Sequence, residues 1–243
     1  MPRTRRDLLG LRALVGHRPS LTVLLMLLGA DVMFFAGHLR ASRSEFESSL
    51  SFVDIEYGHP EAFQSLQWLW AIGLVVLMAV VSRRWPVLGL LPLLGFFLLT
   101  DRYSLHERGG AALVQSLSLQ GAAGLRGQDL GELMVLAAAG LVILPGLVLG
   151  IRAARRAERR DLARTLGIAG IILCCGVVLD AVHILVIAEP KTGDAFGLIE
   201  DGGEMLGASL LVAHLFRMWL QPAAAAAPVA AEPALPEPVS VQG

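Results

Sequence analysis

The sequence is short of charge and of cysteine. Only 17% of its 243 residues are charged, against roughly 25% in soluble domains, too little to coat a water-soluble globule. Two cysteines exclude both a disulfide-stapled scaffold and a multi-cysteine zinc module. The alternation of apolar and polar residues that a membrane barrel needs is also missing. What the chain has instead is apolar residues, 55% of the total, with a mean hydropathy of +0.63, and such a chain does not stay disordered in water. A polytopic helical membrane protein is what remains.

Six continuous apolar stretches have the roughly 20 residues that a 30 Å hydrocarbon layer demands. They run near Leu21 to Gly37, Phe63 to Ser82, Pro86 to Thr100, Leu130 to Ile151, Leu166 to Ala188 and Ile199 to Trp219. In lipid each must satisfy its own backbone hydrogen bonds, so all six read as helices. The expected fold is all-α, a six-transmembrane-helix bundle over residues 19–220, after a basic N-terminus at 1–18 and before a disordered Ala/Pro-rich tail at 221–243. Most of the 20 Lys and Arg residues cluster before the first span, at Arg83 and Arg84, and between Arg152 and Arg164. The positive-inside rule therefore puts both termini in the cytoplasm, in a bacterial inner membrane, with Trp68 and Trp70 in the outer aromatic belt. The basic stretch from Ile151 to Arg164 reads as a loop that sets orientation, so nucleic-acid binding is not needed to explain it. The segment Gly109 to Gln128 reads as an outer loop lying on the bilayer.

An ionisable side chain at mid-membrane costs about 2.5–3.5 kcal/mol on insertion scales, so such residues are the first place to look for function. Here they share one level. Asp31 and His38 lie in the outer half of the first span, and Asp101, His106 and Glu107 at the outer end of the third. Glu132 opens the fourth, Asp180 and His183 lie in the fifth, and Glu200, Asp201 and Glu204 open the sixth. Helical spacing puts His38 within about 20° of Asp31, and Glu204 within about 40° of Glu200. So many carboxylates in one partly desolvated pocket cannot all stay ionised. Bound cations, protons or salt bridges to Arg102 and Arg108 must neutralise them. Glu132, Glu200 and Asp201 have a plainer role open to them as partners of helix N-termini.

Carboxylates and imidazoles without thiolates suit zinc, manganese or iron. The first expectation is a divalent-metal site with His106, Glu107, Asp180, His183 and Glu204 as ligands, and Asp101 and Glu200 as orienters or a general base. Such a site would serve metal-dependent hydrolysis or oxidation of a lipid-type substrate. The alternatives are a proton- or cation-coupled transporter using the same acids and a non-catalytic assembly or sensor subunit. The His106-Glu107-Arg108-Gly109-Gly110 run is not H-E-x-x-H, which excludes a zincin. His214 lies deeper, where a packing role is expected, and Gly146/Gly150 and Gly203/Gly207 have the spacing of close helix packing. The Asp101-x-x-x-x-His106-Glu107 pattern and the Glu200-Asp201-x-x-Glu204 pattern resemble those of uncharacterised bacterial multipass membrane proteins with D-x-x-x-x-H-E and E-E-x-x-E signatures. That resemblance implies that these acids and histidines belong together and names no reaction. The membrane hydrolases of the ceramidase and adiponectin-receptor type offer a chemical analogy, but their H-x-x-x-H is missing here.

Overall fold

A computed structural model describes residues 11–41, 58–122, 125–179 and 190–221. Among these the protein is all-α. A short helix α1 (Leu11–Val15) leads into α2 (Arg18–Ala41) and α3 (His59–Val80). A 3-10 turn at Trp85–Leu90 runs into α4 (Leu91–Tyr103), followed by α5 (Leu105–Leu117) and α6 (Gly127–Ala153). Helix α7 (Arg156–Leu173) continues as a π-helical turn over Cys174–Leu179, and α8 (Pro190–Leu220) completes the fold.

The boundaries have local causes. Pro60 and Pro92 occupy first-turn positions of α3 and α4, where a missing N–H costs nothing. Arg83 takes a left-handed backbone (φ 52°) in the turn between α3 and the 3-10 segment. Asp129 accepts a hydrogen bond from the Arg126 amide at 2.7 Å, and Glu158 one from the Arg155 amide at 3.0 Å, capping α6 and α7.

Five helices are long and apolar enough to cross a membrane: α2, α3, the Trp85–Tyr103 unit, α6, and α7 with its π-helical end. Their outward surfaces carry Met26, Met33, Leu141, Val142 and Leu149, all about two-thirds exposed or more, as expected of a face meeting lipid tails. Helix α8 has the length of a span, but Glu204, His214 and Arg217 make it more polar than those five. It is also the most enclosed, packing against α1, α2, α3 and α7, with Met205, Ala208, Leu211, Leu215 and Met218 inaccessible. Of its polar groups, Ser209, His214 and Arg217 are buried in protein.

Several sequence expectations need correction. The supposed basic loop from Ile151 to Arg164 is the end of α6 and three turns of α7, with only Ala154 and Arg155 between them. The supposed outer loop after Gly109 belongs largely to α5, which Ser104 (φ 46°) separates from α4. Glu200 and Asp201 do not open a helix, because α8 begins at Pro190. Trp68 is not in an aromatic belt either; it is wholly buried against Phe97, with ring centroids 4.8 Å apart.

The expected small-residue seams are present. Gly146 and Gly150 of α6 meet Gly89 and Pro86, and Gly203 and Gly207 of α8 meet Cys175 and Ile172 of α7. A methyl group at Gly89 would collide with the Gly146 carbonyl, whereas one at Gly29 would meet nothing within 4 Å. Gly89→Ala should therefore lower the thermal midpoint of the detergent-solubilised protein, consistent with about 1–3 kcal/mol of overpacking. Gly29→Ala should leave the midpoint unchanged or raise it.

Candidate functional site

Helix α3 presents Gln64, Ser65, Gln67 and Trp68 within five successive positions, all four of them buried. At i, i+3 and i+4, Gln64, Gln67 and Trp68 share one face, and that face meets α4 and α8. The Trp68 indole N–H donates to Asp101 Oδ2. The Gln64 amide donates to Glu204 Oε2 at 3.4 Å and also lies against Asp101. Two carboxyls from α4 and α8, 103 residues apart in sequence, are thus drawn together by neutral donors of α3. Asp201 and Glu200 act electrostatically on Glu204, and Glu61 on Asp101. The acids expected to converge on one level do so here, for α4 and α8.

The fifth span takes part through its π-helical turn, a feature frequent at functional sites. Glu204 Oε1 packs so closely on Gly176 that no side chain fits there, and Cys175 Sγ lies over Gly203. The Ser65 and Thr100 hydroxyl oxygens, next in sequence to Gln64 and Asp101, are buried without a hydrogen-bond partner among the described residues.

A second buried node lies further along the bundle. Ser209 of α8 donates to Asp31 Oδ2 at 2.7 Å, and Gln67 Nε2 donates to Ser209 Oγ at 2.8 Å. At the far end of α8 the polar groups are of another kind. Arg217 reaches Asp161 Oδ1 at 2.8 Å, Arg164 reaches the same oxygen at 3.3 Å, and His214 Nε2 lies 3.3 Å from the Asp161 carbonyl. Arg84 donates to the Met218 carbonyl at 2.7 Å and pairs with Glu158 at 3.3 Å. This end is a clamp of ion pairs joining α7, α8 and the turn before α4, and His214 has the packing role expected of it.

The remaining predicted residues fall as follows. His106 and Glu107 lie on α5, 3.9 Å apart, one-third and one-half exposed. Glu132 accepts from Gln128 at 2.7 Å and packs on Gly110. His38 is buried on α2. Asp180 and His183 lie outside the described residues. Among the described residues, no three His, Cys, Asp or Glu side chains are grouped to hold a metal ion. Sequence reasoning missed Gln64, Gln67, Trp68 and Ser209, although a helical face of two amides and an indole inside an apolar span is a signal that ionisable residues alone do not give.

Losing the indole donor strands a buried acceptor, which costs about 1–3 kcal/mol. Trp68→Phe should therefore destabilise the protein in denaturation assays. In an Asp101→Asn background its cost should shrink, giving a coupling energy that two independent sites would not show.

No curated protein and no solved structure matches the chain. A family model described as a domain of unknown function (DUF8692) matches residues 19–219, and the chain belongs to that family.

Proposed function

We propose that the protein couples movement of a proton or another cation to that of a small solute, through a site built on Asp101 and Glu204. The observation that carries this reading is the pairing of two half-buried carboxyls whose hydrogen-bond donors, among the described residues, are the uncharged Trp68 indole and Gln64 amide. Two negative charges side by side in a low-dielectric bundle repel each other. With neutral donors around them, they are compensated by what they bind. The partnerless Ser65 and Thr100 hydroxyls beside them supply further polar contacts for a passing ion or solute. With the basic segments facing the cytoplasm of a bacterial inner membrane, the Glu204 end of α8 opens outward and is loaded from outside.

A second reading is favoured by one contact. Gly176 touches Glu204 and stands four residues before Asp180 in the sequence. In this reading a divalent metal (zinc, manganese or iron) is held by Glu204, Asp180 and His183 with help from His106 and Glu107. Asp101 and Glu200 orient it or act as a general base for chemistry on a lipid-type substrate.

One preparation separates the two. Reconstituted into proteoliposomes with an internal pH dye, the wild type should carry protons inward under an imposed gradient, and Glu204→Gln should fall to the rate of protein-free vesicles. Equal flux in both would contradict the transport reading. A stoichiometric metal in the wild type that is lost in His183→Ala, measured by plasma mass spectrometry on the same samples, would establish the second reading.

A further inference from the structure

We infer that Asp31 holds a single proton inside the bundle, in a closed ring of hydrogen bonds with Gln67 and Ser209. The three side chains come from α2, α3 and α8, and none has any accessible surface. Ser209 has one hydroxyl proton, and it is committed to Asp31 Oδ2. Gln67 Nε2 donates to that same hydroxyl oxygen. Asp31 Oδ1 and Gln67 Oε1 are left over, both buried acceptors without a donor among the described residues. The two headgroups carrying them are joined through one shared oxygen, so the unmatched acceptors belong to neighbouring groups.

One proton settles both. Placed on Asp31 Oδ1, it turns an acceptor into a donor and is shared with Gln67 Oε1. The circuit then runs from Gln67 N–H to Ser209, from Ser209 O–H to Asp31 Oδ2, and from Asp31 Oδ1–H back to Gln67. A metal cation fits the place less well. It would find only four side-chain oxygens, from three residues, and α2, α3 and α8 are unbroken at this level, so their carbonyls are spent within the helices.

The titratable and charged groups on the packed elements stand at other levels. On α2 itself His38 is seven residues away, and on α3 Glu61 is six residues from Gln67. On α8 Glu204 and His214 each stand five residues from Ser209, about 7.5 Å of helical rise. Arg12 of α1 and the adjoining His17 lie toward the start of α2. The proton site therefore sits between the level of the paired carboxyls, near the middle of α8, and the ion-pair clamp toward its C-terminal end. Its use in transport rests on the proton-coupled reading above, but its existence does not.

The test is infrared spectroscopy of the full chain in lipid nanodiscs at neutral pH, in H2O and in D2O. The wild type should show the C=O band of a protonated carboxylic acid, shifted on deuteration. Asp31→Asn places an N–H where the acid has its O–H, so it should fold with an unchanged thermal midpoint and lose this band. Glu204→Gln should keep it. Ser209→Ala, which leaves Asp31 in place and removes one hydrogen bond to Oδ2, should move the band to higher frequency. A spectrum unaltered by Asp31→Asn, or a band that collapses when NaCl is added at constant pH, would overturn the assignment. Proteoliposomes that pass no protons while the Asp31 band is intact would sink the transport reading and support this site.

Discussion

A helix enclosed by other helices must find partners for its polar groups within the protein, and α8 works under that constraint from Glu204 to Met218. It carries more charge than a lipid-facing span tolerates, and it is tolerated because α2, α3 and α7 surround it. Three levels of contact follow along its axis. Glu204 meets Gln64 and Asp101, Ser209 meets Asp31 and Gln67, and His214 with Arg217 meets Asp161.

The three levels differ in how charge is balanced. At the Arg217 end every acid faces an arginine, the arrangement of a structural clamp, in which removing one partner leaves a buried charge and costs several kcal/mol. At the Glu204 level, Asp101 and Glu204 are met, among the described residues, by the neutral Trp68 indole and Gln64 amide. Between them, Asp31 is inaccessible to solvent and accepts a hydrogen bond from the Ser209 hydroxyl. Close packing supports this gradient. Gly176, Gly203 and Gly207 let α7 approach α8 closely, seating Glu204, Cys175 and Ile172 respectively against their bare backbone.

The helical segments were legible in the sequence because lipid imposes a length and an apolarity that a single chain displays openly. The convergence of Asp101 and Glu204 was legible for the same reason, since carboxylates stand out in apolar runs. The α3 face was not. Glutamine, serine and tryptophan are cheap enough in a membrane helix to look like packing or belt residues, and only their tertiary partners show otherwise. The start of α8 was misplaced because apolarity begins near Ile199, whereas Pro190 begins the helix; Glu200 and Asp201 therefore lie three turns inside it rather than at its N-terminus. Asp161 was hidden in a basic run that reads as loop, although it faces inward at the second turn of α7.

The central claim is that the half-buried Glu204 carboxyl, met among the described residues by the neutral Gln64 amide, is neutralised by what it binds. Dicyclohexylcarbodiimide tests this directly, because this apolar reagent modifies protonated carboxylic acids within the bilayer. After treatment of membranes at neutral pH, mass spectrometry should find the adduct on Glu204 and not on the half-exposed Glu107. Raising the pH or adding a bound cation should protect it. Labelling that spares Glu204 under all conditions would contradict the account.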